Sequence, residues 1–177
     1  DDIVKVYQDI VKKCENDQIA WVQFDEPALV QDMSLEDITL FHRIYDKILA
    51  DKGSCKILLQ TYFGDVRDVY QELIRMPFDG IGLDFLEGKE TGHLIRRYGF
   101  PQEKVLFAGL VNGKNIWKNH YEKTLSVLKE LKDKEIQTVL STSCSLLHVP
   151  YTLQYEEKLS EEYKTYFAFA QEKLLEL

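Results

Sequence analysis

The hydrophobic residues of the chain follow two spacings, one typical of helices and one typical of strands. An apolar residue recurs every three or four positions over residues 3–15, which predicts an amphipathic helix. Short apolar runs followed by turn residues predict strands. Five such runs occur, at residues 19–24, 56–61, 80–85, 104–110 and 138–142.

Helical patterns separate and follow these runs. The intervening ones cover residues 34–50, 66–75, 91–98 and 119–132. A last pattern, over residues 157–175, predicts one long helix with aromatic residues on one side.

The alternation of strand and helix predicts an α/β protein. Strands with apolar centres between helices form parallel sheets, which are typically covered on both faces. Right-handed crossovers bring all strand ends to one edge, here called the rim, where α/β proteins bind ligands. Five units are about five-eighths of a TIM-type (β/α)8 barrel, which takes about 250 residues. We therefore expect further strands before Asp1, and we expect this chain alone to have two unpaired edges and one poorly covered face.

Composition and charge exclude several classes of protein. With 22 basic and 30 acidic residues among 177, the chain has a net charge of −8, which argues against a nucleic-acid-binding protein. No apolar run approaches the roughly 20 residues that span a membrane. The first residues lack the basic and apolar layout of a signal peptide. A cytoplasmic protein with no nucleic-acid or membrane partner is expected.

Two adjacent carboxylates, Asp25 and Glu26, end the first predicted strand. Neighbouring residues on a strand point to opposite sides, so the two cannot form an acid/base pair by themselves. We expect one of them to face the centre of the rim, where it could bind an amine or a cation. The alternative is a helix cap or a salt bridge in the following loop.

Asp84 lies in a strand that is otherwise apolar. Burial of a carboxylate without a partner would cost several kcal/mol, so Asp84 should be paired or close to the solvated rim. The sequence leaves two roles open, a ligand contact or a structural ion pair. The candidate ion-pair partners are Lys89, Arg96 and Arg97.

The segment after the fourth strand combines a tight turn, a cation and an aromatic ring. Lys114 could hold a carboxylate or phosphate, Trp117 could stack on a flat ring, and Asn115 lies between them. The alternative is a β-turn in which Trp117 is a hydrophobic anchor.

The loop at residues 143–150 (SCSLLHVP) carries Ser143, Cys144 and His148. Cys144 and His148 resemble a thiol nucleophile and its base, but such pairs usually come from separate segments of a chain. A zinc site would need more ligands than this loop supplies. A free-standing small-molecule enzyme that uses Asp25, Asp84 and His148 is one further possibility.

Five segments occur in order along nearly the whole chain. They are residues 21–29 (WVQFDEPAL), 61–64 (TYFG), 108–117 (AGLVNGKNIW), 143–150 (SCSLLHVP) and 167–173 (FAFAQEK). Together they resemble the N-terminal domain of cobalamin-independent methionine synthases. The resemblance implies two (β/α)8 barrels whose rims lie near each other. It also implies methyl transfer from 5-methyltetrahydropteroyl-polyglutamate to homocysteine without cobalamin.

The resemblance also implies which half of the enzyme this is. The family's catalytic C-terminal barrel holds zinc through a His-x-Cys pair where this chain reads Thr61-Tyr62-Phe63, and Cys144 matches a lone ligand cysteine. One cysteine cannot hold zinc, so its ligands are expected outside the segment. Residues 1–177 would be a single segment, the later part of the N-terminal barrel, without catalytic residues.

Such a segment would serve as scaffold and as part of the folate-side rim. The candidate substrate-binding residues are Asp25, Glu26, Asp84, Lys114, Asn115, Trp117, Ser143 and His148. The alternative is a non-enzymatic α/β binding module that associates through its open sheet edges.

Overall fold

The computed structural model describes residues 2–50 and 52–177. Its five strands confirm the predicted ones, with bounds that differ by at most two residues. They are β1 (Trp21–Asp25), β2 (Lys56–Gln60), β3 (Gly80–Asp84), β4 (Val105–Val111) and β5 (Thr138–Thr142).

The helices that precede and separate these strands are also confirmed. They are α1 (Asp2–Asn16), α2 (Leu35–Ala50), α3 (Tyr70–Arg75), α4 (Thr91–Tyr98) and α5 (Tyr121–Asp133). The helix predicted to begin at residue 66 begins later, at Tyr70, after a turn. No helix among the described residues is both long and apolar enough to cross a bilayer.

The five strands form one parallel sheet in the order β1-β2-β3-β4-β5. Each strand therefore pairs with its neighbours in the chain. In this order, right-handed crossovers place every connecting helix on the same face of the sheet. All five carboxyl ends lie at one edge, which confirms the predicted rim.

The helix-covered face of the sheet is the hydrophobic core. Its strand residues include Phe24, Ile57, Leu59, Ile81, Leu83, Leu106 and Ala108, and they form one cluster with buried residues of the helices. Every second residue along a strand contributes to this cluster, as expected because successive side chains of a strand point to opposite faces.

The opposite face is poorly covered, which confirms what was expected of five strands alone. Trp21 and Val139 on this face keep 36% and 42% of their surface exposed. The rings of Trp21 and Phe107 lie 5.8 Å apart, although β1 and β4 are separated by three strand spacings, about 14 Å. The side chains meet above Gly80, where a Cβ would lie 2.9 Å from Phe107 and 3.1 Å from Trp21. The sheet thus has a concave face.

The predicted long C-terminal helix is also wrong. The region instead contains two short helices, α6 (Glu161–Lys164) and α7 (Ala170–Leu174), separated by a turn and a short extended stretch. Phe167 forms an antiparallel bridge with Trp117, and the Ala168 N–H donates to the Ile116 carbonyl (2.7 Å). These tertiary hydrogen bonds replace the helical ones.

The Glu172 carboxylate fastens this C-terminal region to the segment before it. It accepts hydrogen bonds from the Thr152 hydroxyl (2.8 Å) and from the backbone N–H groups of Leu153 and Phe169 (both 3.1 Å). Burial alone would raise the pKa of Glu172, but these donors outweigh it and hold the pKa below its ordinary value.

We expect Glu172→Gln to lower the free energy of unfolding at pH 7 by about 1 kcal/mol, because the carboxylate accepts these bonds more strongly than an amide. Since the folded pKa is lowered, the contribution is present above the ordinary Glu pKa of about 4.3. It disappears as the pH falls through the folded value. Urea unfolding at stepwise lower pH measures this. Glu157→Gln, an exposed control, should change little at any pH.

Candidate functional site

A cleft of about 460 Å³ opens at the rim, on the concave side of the sheet, and is here called the rim cleft. Strand ends and the loops that follow them line it. The lining residues are Gln23, Asp25, Gln60, Tyr62, Phe63, Phe107, Ser141, Thr142, Cys144, Ser145 and His148. Asp25 and His148 are the sequence-predicted site residues that meet in this cleft.

The Asp25–Glu26 pair divides between the two sides of β1, as predicted. Asp25 faces the rim cleft and accepts a hydrogen bond from the Gln23 side-chain amide (2.7 Å). Glu26 turns to the other side and accepts a hydrogen bond from the hydroxyl of buried Tyr45 in α2. Burial raises the pKa of Tyr45, and the neighbouring Glu26 raises it further. Glu26 is therefore outside the rim cleft.

Asp84 is buried, with 1% of its surface exposed. Its carboxylate accepts hydrogen bonds from three backbone N–H groups, those of Phe63 (3.0 Å), Leu86 (2.8 Å) and Glu87 (3.0 Å). Burial raises the pKa of Asp84, against the effect of these donors. Asp84 thus joins the loops after β2 and β3.

The structural ion pair, one of the two roles that the sequence left open for Asp84, is therefore not formed. The basic residues considered as its partners were Lys89, Arg96 and Arg97. Backbone N–H groups satisfy the carboxylate instead, and a buried side chain that joins two loops is not free to contact a ligand. For the same reason Asp84 does not converge with Asp25 and His148 in one catalytic centre, as the free-standing enzyme would require.

Phe63 is the residue that the Asp84 carboxylate holds at the rim. Its backbone φ is +72°, a left-handed conformation that is a strained one for a phenylalanine. Its ring centroid lies 5.4 Å from that of His148 and 5.1 Å from the Lys114 ammonium. Nothing in the local sequence indicates this conformation, and Phe63 is not among the candidate substrate-binding residues predicted from the sequence.

Lys114 stands beside the rim cleft in an exposed ion pair with Glu87 (2.8 Å). The hydrogen bond from its ammonium to Glu87 raises the pKa of Lys114. The carboxylate of Glu87 thus partly compensates the charge of Lys114, and the side chains of both residues remain exposed to solvent.

Asn115 and Trp117 fit the turn-and-anchor alternative. The Asn115 side-chain oxygen accepts a hydrogen bond from the backbone N–H of Trp117 (3.1 Å). The backbone N–H of Asn115 donates to the side-chain oxygen of Asn112 (3.0 Å). The Trp117 ring packs against Phe167, with 5.1 Å between centroids. Both residues are outside the rim cleft.

The loop after β5 has one buried and one exposed candidate. Ser143 is buried, accepts a hydrogen bond from the Gly113 N–H (3.2 Å) and does not line the rim cleft. His148 is exposed and lines it. Cys144 lines it too, but burial raises the pKa of its thiol and its hydrogen-bond acceptor is the Ser145 carbonyl (3.7 Å). A thiolate nucleophile activated by His148 is not what this geometry provides.

The donor set of the rim does not fit a zinc ion. The described residues contain no group of three or more His, Cys, Asp or Glu side chains placed to hold a metal. Burial raises the pKa of the Cys144 thiol, which disfavours the thiolate form that binds zinc. Zinc binds in proteins through three or four such donors.

Gln23, Gln60 and Phe107 line the cleft but were not predicted from the sequence. The sequence pattern could have indicated the first two. Gln23 is two positions before Asp25 on the same strand, and period-two alternation puts both on one face. Gln60 ends β2 in register with Asp25. Phe107 belongs to the middle of β4, and only the curvature of the sheet brings it to the cleft.

A family profile described as "Cobalamin-independent synthase, N-terminal domain" matches residues 1–136. The chain belongs to this family. The likeness stated from the sequence motifs is therefore confirmed.

Curated members of the family are similar over almost the whole chain. A 5-methyltetrahydropteroyltriglutamate–homocysteine methyltransferase of Lactococcus lactis is 54% identical over 176 residues, 99% of this chain. The enzyme of the same name from Campylobacter jejuni is 50% identical over 175 residues. In both cases the matched region is 23% of the relative, so the chain spans about a quarter of their length.

A solved structure supports the fold. It is that of a candidate vitamin-B12 independent methionine synthase from Listeria monocytogenes, with a TM-score of 0.67. The superposition covers 82% of this chain and 48% of that one, at 15% sequence identity. At this identity the likeness concerns the fold alone.

Proposed function

We propose that this chain is a segment of a methyltransferase that moves a methyl group from 5-methyltetrahydropteroyl-polyglutamate to homocysteine, forming methionine. The observation that carries the proposal is the 54% identity, over 99% of the chain, to an enzyme named for this reaction. The chain spans 23% of that enzyme, so the activity would be that of a longer protein.

Within that protein, the five β/α units would be the later part of an N-terminal TIM-type barrel, about five-eighths of it. Three features support this architecture. The strands follow chain order, the core helices pack on one face, and Trp21 meets Phe107 across a curved sheet. Such curvature and one-sided helices are what barrel closure requires.

The segment would act as scaffold and as part of the folate-side rim, not as the catalytic centre. Exposed Lys114, Phe63 and His148 lie together at the edge of the rim cleft, where a cation and aromatic rings suit a glutamate tail. Zinc would be held by a catalytic C-terminal barrel, cobalamin would not be used, and the enzyme would work in the cytoplasm.

The test compares the 177-residue chain with a full-length synthase that carries it. We expect the isolated chain to show neither methyl transfer nor stoichiometric zinc, and the full-length enzyme to show both. Methionine formation is followed with labelled methyl donor, and metal content by atomic emission. One zinc per isolated chain, lost in Cys144→Ala, would contradict the assignment of zinc to the other barrel.

The alternative, a non-enzymatic binding module, is supported by the open edge of the sheet. β1 has a single strand neighbour, and the adjacent α1 exposes Ile3 (73%), Val6 (57%) and Ile10 (45%). Unpaired edges and exposed apolar residues promote association. Light scattering separates the two: dimers that form with rising concentration favour the module, and a monomer that unfolds cooperatively counts against it.

A further inference from the structure

We propose that the rim cleft binds a small organic amine with an apolar body, and that the Asp25 carboxylate receives the ammonium group. The proposal concerns this segment's own cleft and does not depend on methyl transfer. The observations that carry it are an uncompensated carboxylate, unused hydrogen-bond acceptors and aromatic walls.

The Asp25 carboxylate has no ion-pair partner among residues 2–50 and 52–177. Its carboxylate is exposed to the cleft, and its hydrogen-bond partner there is the neutral amide of Gln23 (2.7 Å). Among the described residues, no lysine or arginine forms an ion pair with it, whereas the neighbouring rim cation Lys114 is paired with Glu87. An ammonium group bound at Asp25 would supply the missing charge and a charge-assisted hydrogen bond.

Two further acceptors line the same cleft, on Gln60 and Tyr62. The Gln60 side chain donates through its nitrogen to the Thr61 carbonyl (2.8 Å), which leaves its oxygen, packed over Gly82, free to accept. The Tyr62 hydroxyl has no hydrogen-bond partner among the described residues. Burial and the negative charge of Asp25 raise the pKa of Tyr62, which places its hydroxyl within the field of that carboxylate. An ammonium group has three N–H donors, which suit three such acceptors.

The rest of the cleft is aromatic. Tyr62, Phe63 and Phe107 line it, and aromatic faces attract cations as well as apolar groups. A volume of about 460 Å³ is within the range of small-ligand sites. An organic cation with an apolar body can contact both the hydrogen-bond acceptors and the aromatic rings that line the cleft.

Other ligand classes fit less well. A divalent metal prefers several carboxylate or imidazole donors, and no such group occurs among residues 2–50 and 52–177. An anion inside the cleft would meet the charge of Asp25, because Lys114, the cation proposed to suit a glutamate tail, stands at the edge and does not line the cleft. The chemistry of the cleft therefore selects an amine.

The test uses 4-fluorobenzylamine as the probe and its neutral N-acetyl derivative as the matched compound, with binding followed by ligand-observed fluorine NMR. We expect the amine to bind and the N-acetyl compound to bind about tenfold more weakly, since a charge-assisted hydrogen bond is lost. Asp25→Asn should weaken the amine about tenfold and leave the N-acetyl compound unchanged.

Glu26→Gln is the control, because Glu26 is adjacent in sequence but points away from the cleft to Tyr45. It should leave binding of the amine unchanged. Equal affinity for both compounds, no effect of Asp25→Asn, or an equal effect of Glu26→Gln would each overturn the proposal. Circular dichroism checks folding of each variant. The same titration on a full-length synthase that carries these residues keeps the test decisive if the isolated chain is unfolded, and failure there would leave the methyl-transfer proposal untouched.

Discussion

Asp84→Ala is expected to lower the free energy of unfolding by about 3–5 kcal/mol. The substitution removes an acceptor that is 1% exposed and leaves three backbone N–H groups without a partner. Each unsatisfied buried group costs about 1–3 kcal/mol, and some of that cost is relieved where water reaches the loops. The N–H of Phe63 is among the three, so its left-handed backbone also loses its support. Chemical denaturation at pH 7 measures the change.

Asp25→Ala is the matched control for that measurement. Asp25 and Asp84 each end a strand of the same sheet, but Asp25 is exposed and holds no backbone N–H. Its removal should change stability by no more than about 0.5 kcal/mol. Equal losses in the two variants would mean that the buried carboxylate does not hold the rim loops together.

The pH dependence of the Asp84 effect has a definite sign. Because burial raises the pKa of Asp84, the folded state binds the proton more tightly than the unfolded state. Stability from this group is therefore greatest below the ordinary Asp pKa of about 3.9 and falls as the pH rises through the raised folded value. Asp84→Asn has no such titration. As the pH rises from about 3.9 through the raised folded pKa, the wild type therefore loses stability that Asp84→Asn does not lose. The advantage of the wild type over this variant in the free energy of unfolding should become smaller over that pH range.

Gly88→Ala is expected to destabilise the same loop by about 3 kcal/mol. A Cβ at Gly88 would lie 2.2 Å from the Asp84 carbonyl oxygen, 2.4 Å from the Thr91 hydroxyl and 2.9 Å from the Gly64 carbonyl oxygen. Two of these contacts are backbone atoms, and the Asp84 carbonyl oxygen already accepts a hydrogen bond from the Thr91 hydroxyl (2.7 Å) that a shift would weaken. Overpacking of this kind typically costs about 1–3 kcal/mol, and the close backbone contacts place Gly88 at the upper end.

Gly92→Ala, four residues later, provides a control of opposite sign. A Cβ there would meet the Arg96 guanidinium at 3.3 Å, the far end of a flexible, exposed side chain. Alanine favours the helical conformation over glycine, so this variant should gain about 0.5 kcal/mol. Thermal unfolding of the two variants tests both. If Gly88→Ala is as stable as Gly92→Ala, the close packing around Gly88 is not rigid.

The sheet was predictable because its signal is local. Each strand has an apolar centre and ends in polar or turn residues, as in the run from Ile81 to Asp84, and the chain pairs these strands in order. The prediction of a long C-terminal helix was wrong because the structure there depends on distant residues. Residues 157–175 have helical spacing, but Phe167 and Ala168 pair with the backbone at Ile116 and Trp117. A tertiary partner about 50 residues away leaves no mark on the local pattern.

The sequence predicts where the candidate site lies better than it predicts which residues line it. The rim follows from strand direction, and the division of Asp25 and Glu26 follows from the pleat. The role of Asp84 could not be predicted, because its partners are backbone N–H groups that resemble those of any other loop. Phe107 reaches the cleft through the curvature of the sheet, which no short stretch of sequence specifies.

The position of Trp21 above Gly80 has a consequence for spectroscopy. The chain has two tryptophans, and they report on different places: Trp21 on the concave face and Trp117 on the docking of the C-terminal region. Replacing either one with phenylalanine leaves a single intrinsic fluorophore. The emission of Trp21 would then follow filling or closure of the concave face, and that of Trp117 would follow release of the chain end. The protein thus carries its own pair of optical probes, one for each region.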